Sequence, residues 1–184
     1  MNRFTSRTGL LALVSLLAVT SLAGVALASG GIGTGRGGGT GTGDGGGGGG
    51  GKDYAFPVRA KHSYGDGIGA GRGHQGQDIL ANCRKNIVAA RPGRVRYVDY
   101  QASGAGNYAV IKGKKYDYVY MHMINKPSVK KGERVDAGEK IGKVGSTGRS
   151  SACHLHFEMW RKPGWYRGGR LTNPKPFLKR WDRG

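Results

Sequence analysis

The chain has 184 residues, 37 of them glycine, and a net charge of +19. From Asp53 onward, 26 Lys and Arg face 10 Asp and Glu, so the positive charge belongs to the foldable part. That part holds about 130 residues, enough for one core and too few for two ordinary domains. A surface this basic attracts polyanions such as nucleic acid, anionic lipid or wall polymers.

Residues 1–28 read as a secretory signal. Arg3 and Arg7 supply the positive start, residues 10–25 are mostly apolar, and Ala26-Leu27-Ala28 offers a small-x-small cleavage site. The rival is an uncleaved anchor, because the apolar run approaches spanning length. Ser15, Thr20, Ser21 and Gly24 weaken that rival, and no cysteine near the site would carry a lipid. Export disfavours nucleic acid as the partner. Residues 29–52 form a glycine-rich linker, a coil reaching roughly 25 Å. Residues 53–184 are the domain.

Residues 54–58 are apolar, and a glycine-rich surface loop carrying His62 follows. His62 reads as a surface polar residue. His74 and Asp78 are four apart, with Gly76 between them making a helix unfavourable. Two cysteines, Cys83 and Cys153, predict one disulfide in an exported chain, against free thiols or metal thiolates as alternatives. It would close a loop of about 70 residues, worth roughly 3–4 kcal/mol.

Residues 87–90 and 94–100 read as a hairpin around Arg91-Pro92-Gly93. Residues 108–112 form a further strand. Residues 116–123 alternate, placing Tyr116, Tyr118, Tyr120 and His122 on one face and Asp117, Val119, Met121 and Met123 on the other. Residues 129–148 suggest short strands and tight turns. Residues 153–160 alternate again. His154, His156, Glu158 and Trp160 share one face, and Leu155, Phe157 and Met159 form an apolar one. The tail is irregular, with a short helix near residues 176–181. Many short strands with glycine turns predict an all-β domain with an antiparallel sheet core.

Two imidazoles side by side on a strand suit metal ligation or proton handling. Catalytic zinc takes three protein ligands and keeps one position open. His74, Asp78, His122, His154 and His156 would supply three ligands and two proton-handling groups.

The set His74-x-x-x-Asp78, Tyr120-Met121-His122, Gly145-Ser146-Thr147-Gly148 and His154-Leu155-His156-Phe157-Glu158 resembles the lysostaphin-like zinc metallopeptidases. The resemblance covers roughly residues 56–160. The glycine-rich lead-in and the cysteine beside His154 resemble the actinobacterial branch. What the resemblance implies is a secreted or envelope enzyme with an antiparallel β core that cuts peptide bonds in peptidoglycan. It implies His74, Asp78 and His156 as ligands of one zinc ion, and His122 and His154 as catalytic histidines. Asn107 stands where the family often has a substrate-facing asparagine. Zinc would lower the pKa of its water to about 7 and polarise the scissile carbonyl. Glu158 is either a surface carboxylate or a hydrogen-bond partner behind the ligands. The expected partners are peptidoglycan peptides and anionic wall polymers, with a monomeric chain. The alternative is a non-catalytic envelope-binding module that regulates other wall hydrolases.

Overall fold

The computed structural model describes residues 53–71 and 73–184. The signal and glycine linker expected over residues 1–52 lie outside the described residues.

Among the described residues, ten strands and one helix follow in chain order: β1 (His62–Tyr64), β2 (Gln77–Ala81), β3 (Asn86–Val88), β4 (Gly93–Gln101), β5 (Gly106–Lys112), β6 (Tyr116–Met123), β7 (Arg134–Val135), β8 (Lys140–Lys143), β9 (His154–Arg161), β10 (Leu171–Thr172) and α1 (Lys175–Asp182). The main sheet runs β1-β2-β9-β6-β5-β4-β7, with β10 on β9, and every pairing is antiparallel. The all-β expectation therefore holds, with a second sheet formed by β3 and β8.

The alternation of β9 decides where the core lies. Leu155, Phe157 and Met159 are fully buried and pack with Ile79, Ile111, Tyr118 and Tyr120. Ile87 of β3, Ile141 of β8, and Leu178 and Trp181 of α1 close that side. The opposite face of the sheet carries the histidines. A smaller cluster of Val110, Val119 and Trp165 covers part of it. The loop bearing Trp165 is tied down by the buried Asp117, whose Oδ2 lies 2.7 Å from Arg96 and accepts the Trp165 N–H at 3.1 Å.

The expected hairpin over residues 87–100 is corrected. Both strands form, but they do not pair with each other: β3 pairs with β8, and β4 with β5 and β7. Ile87 and Val88 lie beneath the main sheet, so the Pro-Gly segment passes between layers. Tyr120 in the main sheet accepts the Ala90 N–H at 2.8 Å and fixes that passage. Gly93 serves close approach: a Cβ there would sit 2.6 Å from Ile111 Cγ2 and 2.7 Å from the Lys112 carbonyl.

The faces assigned to the end of β6 are also corrected. Tyr118 and Tyr120 point into the core, but so does Met123, and His122 does not. Asn107 of β5 pairs with Met123 and Ala109 with Tyr120, so Met121 and His122 together oppose the single Tyr108. This is a β-bulge, and its extra residue, His122, has φ +65°. The bulge turns His122 onto the face of Met121, which pairs with His156 across β6 and β9.

Cys83 and Cys153 form the expected disulfide, with Cα atoms 5.2 Å apart. It ties the loop after β2 to the residue preceding β9, the two strands that pair directly. The C-terminal helix lies one residue either side of the expected span.

Candidate metal centre

β2 and β9 pair so that Asp78 stands opposite His156. Both side chains therefore share the face turned away from the core. His74 precedes β2 in the glycine-rich loop and folds back: its Nε2 lies 3.0 Å from Asp78 Oδ1. His156 Nδ1 lies 2.9 Å from the same oxygen, and His154 Nε2 lies 3.6 Å from it. One carboxylate oxygen thus faces three imidazoles. Donor atoms of His74, Asp78 and His156 all lie within 4.8 Å of one another.

His122 completes the group from the bulge. Its ring centroid is 4.8 Å from that of His154 and 5.9 Å from that of His156. Four of the five histidines of the chain therefore meet in one cleft of about 710 Å³, whose rim includes Gln101, Arg149 and Tyr166. His62 stands apart, stacked on Phe56 at 4.1 Å and 3.4 Å from Asp182.

Each of the four imidazoles has its outer nitrogen occupied. His74 Nδ1–H donates to the Gly67 carbonyl at 2.9 Å, His122 Nδ1–H to Thr147 at 2.8 Å, and His154 Nδ1–H to Ala152 at 2.8 Å. His156 differs: its Nε2–H donates to Glu158 Oε1 at 3.1 Å. With the outer nitrogen engaged, the inner nitrogen of each ring is the one turned to the cleft, as a ligand or a base requires. Glu158 is buried, and its other oxygen accepts the Trp160 indole N–H at 2.6 Å. Of the two readings of Glu158, the surface carboxylate is excluded.

The electrostatics agree with this division. Burial would raise the Asp78 carboxyl, but the His156 hydrogen bond and the surrounding imidazoles reverse this and hold it below the usual carboxylate range. Burial dominates at His122 and lowers it to about 4, against the opposing Thr147 hydrogen bond, so it is neutral at neutral pH. Burial would also lower His156, but the hydrogen bonds and charges of Asp78 and Glu158 outweigh it and raise the ring to about 9.

The residues fit a tetrahedral zinc ion. Two imidazole nitrogens and one carboxylate oxygen form a common catalytic donor set, and the outer nitrogens of both rings are already held by acceptors. Gly76 lets β2 approach so closely: a Cβ there would meet His156 Nε2 at 2.6 Å and the Phe157 carbonyl at 2.7 Å. Gly76→Ala is expected to displace the His156 ring and weaken zinc affinity by about tenfold or more. Competition with a chromogenic chelator measures it, with circular dichroism as the check on folding.

Asn107 does not line the cleft. Its side-chain amide donates to the Met123 carbonyl at 3.1 Å, and its N–H donates to Thr147 Oγ1 at 2.9 Å. It thereby ties the bulge to the loop whose carbonyl holds His122. The sequence could not reveal the main-chain acceptors at Gly67, Thr147 and Ala152, because any residue type supplies a carbonyl.

The sequence model of peptidase family M23 matches residues 72–174. Over 108 residues the chain is 36% identical to glycyl-glycine endopeptidase ALE-1 of Staphylococcus capitis, covering 58% of this chain and 29% of that protein. It is 37% identical over 107 residues to the murein hydrolase activator NlpD of Salmonella dublin, covering 58% of this chain and 26% of that protein. The catalytic domain of lysostaphin from Staphylococcus simulans superposes with a TM-score of 0.57 at 32% identity, over 64% of this chain and 92% of that domain. The chain spans less than a third of the length of the curated relatives it matches.

Proposed function

We propose, from the premise that this chain belongs to peptidase family M23, that it is an exported zinc endopeptidase acting on peptide bonds of peptidoglycan. The observation that carries the reading is the convergence of His74, Asp78 and His156 with two further imidazoles whose Nδ1 atoms are held by main-chain carbonyls.

His74 Nε2, Asp78 Oδ1 and His156 Nδ1 would hold the zinc. When bound, the ion supplies Lewis acidity that activates water and polarises the scissile carbonyl. His122, kept neutral by burial, takes the proton of the attacking water at Nε2. His122 then passes that proton to the departing amine, and His154, whose ring lies beside it, positions the attacking water through Nε2. Both rings are held in register by main-chain carbonyls, so little reorganisation accompanies the step. The cleft, open along the sheet face, admits an extended peptide. The domain limits, with an export signal over residues 1–28 and a linker over 29–52, are part of this proposal, as is an extracytoplasmic location.

The likeness to a murein hydrolase activator favours a second reading, a wall-binding regulator without turnover. Purified sacculi separate the two. Soluble muropeptides released by the chain, lost with chelator and restored by zinc, support the peptidase. Binding to sacculi with no release at any zinc concentration overturns it in favour of the regulator. Mass spectrometry of the products names the bond.

A pH dependence follows from His156. Its ring, raised to about 9 in the metal-free chain, carries a proton at neutral pH that a zinc ion must displace. Zinc affinity is therefore expected to rise with pH and to level off above about pH 9, with about one proton released per ion near pH 7. Titration calorimetry in buffers of different ionisation enthalpy counts that proton. An affinity flat between pH 6 and 8 (a window of about two units) would contradict it.

A further inference from the structure

A second concavity, of about 470 Å³, lies at the far end of β6 from the histidines. Tyr116, where β6 begins, and His122 are six residues apart on one strand, which separates this groove from the cleft by roughly 20 Å. Its walls are aromatic: Tyr116 and Phe177 meet edge to face at 5.8 Å, above the buried Tyr118 and Trp181. Its rim is cationic. Arg91 is held by Asp53 at 2.7 Å, but Lys114, Lys115 and Arg180 form no ion pair among the described residues. Arg161 lies over the Tyr116 ring at 5.6 Å and Arg180 over the Tyr54 ring at 5.7 Å, but half-exposed apolar area beside lysines without ion pairs still favours an anionic cover.

We propose that this groove binds an anionic polyol or sugar-phosphate polymer of the bacterial wall. The C–H faces of a polyol or sugar unit pack against Tyr116 and Phe177, and successive phosphodiesters meet Lys114, Lys115 and Arg180. A recess between a hairpin turn and a helix admits a single flexible strand and excludes a nucleic-acid duplex. The choice of a wall polymer over single-stranded nucleic acid rests on the wall-peptidase reading. The groove itself does not. Bound there, the polymer anchors the chain while the cleft, roughly 20 Å away, stays free for peptide.

The test measures binding of the purified chain to a poly(glycerol phosphate) oligomer at about 0.15 M salt. Lys114→Gln/Lys115→Gln is compared with Lys130→Gln/Lys131→Gln, an equal loss of charge at another exposed turn. The first pair is expected to weaken binding about tenfold or more, and the second less than about twofold. Tyr116→Ser is expected to weaken binding while leaving the salt dependence unchanged. Equal losses from the two lysine pairs would mean diffuse attraction and overturn the site. Tighter, equally Lys114- and Lys115-dependent binding of a single-stranded oligonucleotide, or of phosphatidylglycerol vesicles, would overturn the occupant. Hydrolysis of a soluble peptide is expected to be unchanged in all these variants, so a failed peptidase reading shows separately, as absent turnover in the parent chain.

Discussion

Replacing Asp78 by alanine is expected to remove turnover on sacculi and stoichiometric zinc together. Asp78 Oδ1 lies within 3.0 Å of both His74 and His156 and within 3.6 Å of His154. Of the other carboxylates lining the cleft, Glu158 lies behind His156 and is engaged with that ring and with Trp160, and Asp66 stands outside the converging donor set. Loss of the Lewis acid costs several kcal/mol of transition-state stabilisation, so activity should fall by at least about a thousandfold. Metal content by mass spectrometry and muropeptide release by chromatography check the two halves. Asp78→Asn refines the result: it keeps the shape and one acceptor oxygen but removes the charge. A variant that retained zinc and full turnover without the carboxylate would refute the assignment of the ligands.

His122→Ala separates chemistry from metal holding. The ring reaches the cleft from the β6 bulge, its centroid 5.9 Å from that of His156, and is outside the converging donor set. Zinc content is expected to stay stoichiometric while kcat falls by about a hundredfold to ten-thousandfold, the range for a lost general base. The direction of the pKa shift sharpens this. A base lowered to about 4 is unprotonated through the neutral range. The acid limb of kcat/KM that His122 governs should therefore lie well below the ordinary histidine value, and it should vanish in the variant. An acid limb near pH 6.5 that survives in His122→Ala would assign the base elsewhere. His122→Gly is the companion variant. At φ +65° glycine is unstrained where alanine is not, so it should be about 1 kcal/mol more stable than His122→Ala and equally inactive.

Much of the sheet was legible because burial on one face enforces a period of two. The alternation of residues 153–160 located β9, its apolar face and its histidine face correctly. The tyrosine row located β6 from end to end. The period failed where the backbone broke it. Nothing in Tyr120-Met121-His122-Met123 announces an inserted residue, so strict alternation put His122 with the tyrosines and Met123 opposite them. The bulge reverses both. The hairpin failed for a different reason. Pro-Gly marks a change of direction, but only the packing of Ile87 under the main sheet shows that the chain also changes layer. For the site, residue types and order pointed to the five side chains. Their shared geometry depends on pairings such as Asp78 with His156, which are 78 residues apart and carry no local signature.

The hydrogen bonds behind the four imidazoles have an unequal exposure to sequence drift. Three of the acceptors are peptide oxygens, present whatever side chain occupies positions 67, 147 or 152, so point mutation there leaves the tautomers in place as long as the loops keep their course. The fourth is the Glu158 side chain, which a single codon change removes. Glutamine at that position would still accept the ring proton but without its charge, leaving His156 a weaker donor. Glu158 is therefore a genetic dial on this centre: a place where laboratory selection could retune preference between zinc and a harder or softer ion without touching any atom that meets it.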